Sequence, residues 1–144
     1  MFKSTAMFWG FVILGAVVSN ILSIVAHYQH DIPRGVPLAR LGTMGAVTQV
    51  FLMVLPLIIA SVLVGFVRIR RDPHPPARDE IKGLTKAIAM SALVLCLAFW
   101  ILSGAWFGLV QAPVWAIPLI VFGPILGVAI IFWLVFSMTT HLLR

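Results

Sequence analysis

The amino-acid sequence predicts an all-α integral membrane protein with four transmembrane helices, both termini in the cytoplasm, and a single domain over residues 1–144. Three observations carry this prediction: the composition, the placement of the charges, and the side on which basic residues collect. Hydrophobic residues form 62% of the chain and charged residues only 10%, whereas a soluble domain is roughly half apolar and about one-quarter charged. This composition excludes a soluble globular domain, a disordered chain and a disulfide scaffold.

The charged residues leave uncharged stretches that are long enough to cross a membrane. No residue is charged between Lys3 and Asp31, nor between Arg40 and Arg68. A transmembrane helix needs about 20 apolar residues, so each of these stretches fits one span. The first is expected to be a retained anchor, because its apolar part exceeds the signal-peptide range of about 7–15 residues.

The uncharged stretch between Lys86 and Arg144 predicts two further spans. As a single helix it would be about 85 Å long, nearly three times the hydrocarbon thickness, so it must fold back. The break is expected at residues 111–113, where Pro113 has no N–H and suits the first turn of a helix. The four predicted spans are therefore about 6–27, 45–67, 87–110 and 113–138.

The basic residues predict the orientation. Eight of them lie near span ends on one side of a four-span protein: Lys3, Arg68, Arg70, Arg71, Arg78, Lys82, Lys86 and Arg144. The other side has only Arg34 and Arg40, so the positive-inside rule places the eight in the cytoplasm. The pI of 10.9 then reflects orientation and contact with anionic lipid. No nucleic-acid partner is expected, because no basic face interleaved with aromatic residues lies outside the membrane.

The end of the first span holds the densest group of candidate metal ligands, His27, His30 and Asp31. If the helix continues past the bilayer, these residues share one face, and imidazole with carboxylate suits zinc or copper. The alternative is a polar helix end at the lipid headgroups, stopped by Ile32 and Pro33. Because no fourth ligand is evident, the sequence predicts no metal site.

The spans contain no residue that predicts catalysis, cofactor binding or coupled transport. Coupled carriers usually need an ionisable residue or a broken helix at mid-membrane, and the spans contain no Asp, Glu, Lys or Arg. His27 and His141 end spans on opposite sides, about 30 Å apart, so they cannot share a haem iron within one subunit. Cys96 stands alone, without a CxxC pair. No enzyme, catalytic residue or cofactor is therefore predicted.

Neutral polar and small residues in the spans predict contacts between helices. The polar ones are expected to hydrogen-bond across helices: Ser19, Asn20, Ser23, Thr48, Gln49, Ser91, Cys96 and Ser103. Small residues four apart let helix backbones approach closely, and they form the pairs Gly15 and Ser19, Ser61 and Gly65, and Gly123 and Gly127. Packing within the bundle and packing against a partner both remain open. A kink is expected at Pro56.

Aromatic residues near the span ends predict anchoring at the membrane–water interfaces. Trp and Tyr collect there because one part of each ring system is apolar and the other is polar. The predicted anchors are Trp9, Tyr28, Trp106, Trp115 and Trp133.

These observations favour a small non-catalytic subunit that packs against and stabilises a larger membrane complex of the transport or electron-transfer type. One alternative is a small oligomeric transporter or channel with a neutral polar pathway between copies, through Asn20, Gln49 and Ser103. Another is a redox subunit that uses the cluster around His27. The expected partners are membrane lipids and either other membrane-protein subunits or further copies of the chain, in a bacterial inner membrane.

Four spans with a basic middle loop in a chain of 144 residues resemble the small subunits of tripartite carboxylate transporters. The resemblance is one of topology and involves no motif. It implies the class of a small subunit in a membrane complex, and no site residue follows from it.

Overall fold

The structure, a computed structural model, describes residues 2–72, 74, 76–104 and 111–142. These residues form four long helices and one short 3₁₀-helix: α1 (Phe2–Gln29), the 3₁₀-helix (Leu38–Leu41), α2 (Thr43–Arg71), α3 (Arg78–Ser103) and α4 (Ala116–Leu142). All four α-helices are long and apolar enough to cross a membrane. The prediction of an all-helical chain with four such helices is therefore confirmed.

The boundaries around α3 and α4 differ from the predicted ones for a local reason. Helix α3 ends at Ser103 because Gly104 takes the left-handed conformation, with φ 68°, which commonly terminates helices. The predicted third span continued to residue 110, and residues 105–110 lie outside the described residues. Helix α4 begins at Ala116, and Pro118 lies in its first turn, where a missing N–H breaks no helical bond.

The hydrophobic core lies toward one end of the bundle, where all four helices meet. Its buried members are Phe8, Ala60, Val64, Leu84, Ile88, Phe132 and Phe136. The rings of Phe8 and Phe132 form a T-shaped pair with centroids 5.3 Å apart, and Phe132 stacks on Phe136 with centroids 5.1 Å apart. The beginning of α1 and the end of α4 therefore lie side by side.

An ion-pair network connects the end of α2 with the beginning of α3 near this core. Arg68 donates from Nε to Glu80 Oε1 at 2.6 Å and from Nη2 to Glu80 Oε2 at 3.0 Å. It also pairs with Asp72 at 3.3 Å. Hydrogen bonds from the backbone and ring of His74, together with Arg68, hold the pKa of Asp72 below its usual range.

In the other half of the bundle, α1 packs on α2 and the connecting loop folds against both helices. Leu38 of the 3₁₀-helix is buried. A Cβ atom at Gly45 would overlap the carbonyl oxygen of Leu38, so only glycine lets the loop backbone approach α2 this closely. The loop therefore lies against the end of the helix pair that is remote from the core.

Candidate functional site

A polar cleft lies between α1 and α2, in the half of the bundle away from the hydrophobic core. Its volume is about 360 Å³. Five polar side chains line it: Ser19, Asn20, Ser23 and His27 from α1, and Gln49 from α2. The α1 residues share one face because Ser19, Ser23 and His27 are spaced four residues apart. Leu52, Met53 and Pro56 supply part of the apolar wall.

At the base of this cleft, α1 compensates for a proline in α2. Pro56 has no N–H, so it cannot bond the carbonyl oxygen of Leu52 four residues earlier. The hydroxyl of Ser19 donates a hydrogen bond to that same oxygen. Within a bilayer, no water can donate to a carbonyl oxygen that has lost its helical donor, so a neighbouring helix supplies the hydrogen bond instead. Gly15 permits the approach, since a Cβ atom there would lie 2.7 Å from Pro56 Cα.

His27 closes the end of the cleft next to the loop through two hydrogen bonds. Its Nδ1 lies 2.7 Å from the carbonyl oxygen of Ser23, and its Nε2 lies 3.0 Å from that of Val36. The second bond ties the loop to the end of α1.

The structure separates the three candidate metal ligands. Helix α1 ends at Gln29, and Asp31 lies beyond it with φ 52°, so His30 and Asp31 do not continue the helix face of His27. Both ring nitrogens of His27 already face carbonyl oxygens. Among the described residues, no group of three or more His, Cys, Asp or Glu side chains is placed to hold a metal ion.

Two amides in the cleft have different surroundings. Gln49 accepts a hydrogen bond from the backbone N–H of Ala39 at 3.1 Å, so it holds the 3₁₀-helix against α2. The exposed carboxamide of Asn20 makes no hydrogen bond with any residue that the structure describes. Ser103, which the transporter alternative groups with these amides, lies at the end of α3 and does not line the cleft.

The predicted small-residue pairs fall into two groups. Gly15 and Ser19 contact α2, as described above. Gly65 faces α4, because a Cβ atom there would lie 3.0 Å from Thr139 Cγ2, and Ser61 is buried one turn away. In contrast, a Cβ atom at Gly123 or Gly127 would meet no atom of the described residues within 4 Å. Two pairs therefore lie at contacts inside the chain, and the third has no such contact with a described residue.

The predicted aromatic anchors occupy different environments. The indole N–H of Trp9 donates to Ser91 Oγ at 2.8 Å, so Trp9 connects α1 with α3. Tyr28 and Trp115 are largely exposed, and Trp133 is about half exposed. Trp106 lies outside the described residues. The location of these residues at membrane interfaces stays a prediction.

Interhelical hydrogen bonding was the expected role of the neutral polar residues, and the structure divides them. Ser19 and Ser91 bond to another helix, whereas Thr48 and Ser103 bond to carbonyl oxygens four residues earlier in their own helix. The part of His27 in closing the cleft was missed. The regular spacing of Ser19, Ser23 and His27 along α1 was the signal that could have indicated it.

Comparisons with family models, with curated proteins and with solved structures find no match for this chain.

Proposed function

We propose that this chain is a small non-catalytic membrane subunit that packs against and stabilises a larger membrane complex, through the α4 face that carries Gly123 and Gly127. The observation that carries the proposal is that a Cβ atom at either glycine would meet no described residue within 4 Å. They lie on the side of α4 opposite the buried Ile125 and Phe132, because 3.6 residues make one turn. Paired small residues form a shallow groove that lets another helix approach closely.

The use of the other small residues within the chain supports this proposal. Gly15 lies against the backbone of Pro56, and Gly65 lies against Thr139. The same kind of spacing on α4 has no such neighbour among the described residues. The groove continues along exposed Ile130 and Leu134, which lie on the same face. A helix of another subunit is the occupant that such a face accommodates.

The orientation and location belong to the same proposal. The basic loop and both chain termini would face the cytoplasm, and the bilayer would be a bacterial inner membrane. The excess of basic residues near one set of span ends supports this orientation. The contact between Phe8 and Phe132 also supports it, since it joins the beginning of α1 to the end of α4. A complex of the transport or electron-transfer type is proposed as the assembly.

The variant Gly127→Leu tests the packing face. A leucine would fill the groove and hold a partner helix away, while folding is retained because leucine favours a helix by roughly 0.8 kcal/mol over glycine. Gly123 is the poorer choice, since it precedes Pro124 and a larger side chain is restricted there. The tagged chain, purified from its own host in mild detergent, should bring down stoichiometric partner subunits, and the Gly127→Leu chain should lose them.

The matched control is Gly10→Leu, the same change at an exposed glycine of α1 that also has open space around it. This variant should retain the partners. If wild type and Gly127→Leu retain the partner subunits equally, or if both variants lose them equally, the α4 face is not the contact with the partner.

A second candidate function, an oligomeric transporter or channel, is favoured by the carboxamide of Asn20. A polar group without a partner is costly in hydrocarbon, and a polar pathway between copies would satisfy it. Under this alternative, vesicles containing the purified chain should pass small neutral solutes in a stopped-flow swelling assay. Asn20→Leu should abolish that flux, whereas Ser103→Ala, outside the cleft, should not. No flux above that of empty vesicles would eliminate this candidate.

A further inference from the structure

A second cleft lies at the end of the bundle that contains the core, between the beginning of α3 and the end of α4. Its volume is about 580 Å³. Six side chains give it its chemical character: Arg78 and Lys82 from α3, and Trp133, Ser137, Thr140 and His141 from α4. We call it the basic cleft.

The electrostatics of the basic cleft favour an anion. Arg78 and Lys82 make no ion pair with any residue in the described part of the chain. The nearby acid Glu80 is already held by Arg68 and therefore does not neutralise them. The first turn of α3 adds the partial positive charge of a helix N-terminus. Asp79 is close in sequence but does not line the cleft.

The hydrogen-bonding groups on the α4 side suit an oxyanion. Thr140 donates its hydroxyl hydrogen to the carbonyl oxygen of Ser137 at 3.0 Å. The hydroxyl of Ser137 makes no hydrogen bond with a described residue, so its hydrogen is available to a ligand. His141, in the last turn of α4, provides a further ring N–H.

The depth of the cleft distinguishes a lipid from a soluble anion. Trp133 lies eight residues before His141, which is about 12 Å along the helix. The cleft therefore runs from cationic and hydroxyl groups at the helix ends to a half-exposed indole deeper in the bundle. Exposed Leu126, two turns before Trp133 on the same side of α4, continues the apolar surface below the indole. This sequence of groups matches a phosphate headgroup followed by an acyl chain.

We propose that the basic cleft binds one anionic phospholipid. Its phosphate lies between Arg78, Lys82 and the hydroxyl of Ser137, and the upper part of its acyl chain lies along Trp133. Basic pockets between transmembrane helices on the cytoplasmic side are suited to acidic headgroups. The site is distinct from the α4 face with Gly123 and Gly127, so the lipid and a partner helix do not compete.

Native mass spectrometry of the full-length chain in detergent tests this proposal with phosphatidylglycerol and with phosphatidylcholine of the same acyl chains. The test variant is R78Q/K82Q. The control is R70Q/K86Q, which removes the same two charges at exposed positions outside the cleft. Each neutralised cation near an anionic lipid costs about fivefold in affinity. Phosphatidylglycerol should therefore bind R78Q/K82Q about 30-fold more weakly, and the control should stay within about twofold of wild type.

Three outcomes would overturn the proposal. Equally weakened binding of phosphatidylglycerol in both double variants would mean that the lipid is attracted to the positive charge of the protein in general and not to the basic cleft. Equal binding of the two lipids by the wild-type chain would mean that the headgroup is not recognised. Displacement of phosphatidylglycerol by inorganic phosphate at the same concentration would assign the cleft to a soluble anion. Thermal unfolding curves of the two variants, which should coincide, identify any loss of binding that comes from misfolding.

Discussion

Pro56 illustrates how single residues of α1 and α2 depend on each other. The proline removes one backbone donor from the interior of a helix that is long enough to cross a membrane. The hydroxyl of Ser19 then satisfies the carbonyl oxygen of Leu52, and the absence of a side chain at Gly15 lets the two backbones meet. The contribution of the Ser19 hydrogen bond to the free energy of unfolding therefore depends on Pro56.

This dependence predicts the outcome of a double-mutant cycle. Ser19→Ala should lower the free energy of unfolding by about 0.6–2 kcal/mol, the range for hydrogen bonds between membrane helices. In a chain that carries Pro56→Ala, the new N–H can bond Leu52 within α2, so the same Ser19→Ala change should cost clearly less. Unfolding of the four chains in mixed detergent measures the difference.

The control for the cycle is Ser61→Ala, because the hydroxyl of Ser61 bonds Leu57 in its own helix. Its cost should be the same with Pro56 and with alanine at that position. An equal cost of Ser19→Ala in both backgrounds would mean that Ser19 does not act through the missing donor.

The ion pair between Arg68 and Glu80 gives a second prediction for single residues. Two parallel hydrogen bonds connect these side chains, and such a pair is stronger than a single contact. Glu80 is 41% exposed, so solvent screening limits the contribution to about 1 kcal/mol. Glu80→Gln should lower the unfolding temperature in detergent. The control is Asp79→Asn, because the neighbouring acid Asp79 makes no ion pair with a described residue. This change should leave the unfolding temperature nearly unchanged. The reverse order would contradict the importance of this pair.

The position of the loop between α1 and α2 depends on one glycine, Gly45. Leu38 can be buried against α2 because Gly45 has no side chain, and the backbone of Ala39 is then within reach of Gln49. Gly45→Ala should displace the 3₁₀-helix, so the Ala39 amide should exchange its hydrogen faster. Gly10→Ala, in open space, should not change that exchange. Unchanged protection of Ala39 in Gly45→Ala would show that the loop does not depend on the glycine.

The helices were predictable from the sequence, but their partners were not. Long uncharged stretches indicate spans because charges are expensive in hydrocarbon. The end of α3 was not predictable, since Gly104 is one of several glycines and only its backbone conformation marks the boundary. The polar residues of the cleft were identified one by one. Polar side chains occur in all four predicted spans, so nothing in the sequence indicated that Asn20 and Gln49 would face the same space.

The whole molecule has two unlike ends. One end contains the aromatic core, the Arg68 ion pairs and the basic cleft. The other contains the polar cleft and the folded loop, with Arg34 and Arg40 as its basic residues. The basic residues of the sequence predict which end faces the cytoplasm, and the arrangement of the helices predicts which residues lie at that end. A measurement of membrane orientation therefore tests both predictions.

The final prediction concerns that orientation. A reporter that is active only in the cytoplasm should be active when fused after Arg144, because the excess of basic residues is retained on that side. An insertion at Gly35 should place a reporter outside, and the position suits an insertion because the residue is exposed and a Cβ atom there would meet no described residue within 4 Å. A second reporter that works only outside the cytoplasm should give the complementary pattern at both sites. Activity of the cytoplasmic reporter at Gly35, together with its inactivity after Arg144, would invert the protein and move the basic cleft to the outer leaflet. Activity of the cytoplasmic reporter at both sites would mean that an even number of helices crosses the bilayer between residues 35 and 144, which contradicts the four-span arrangement itself.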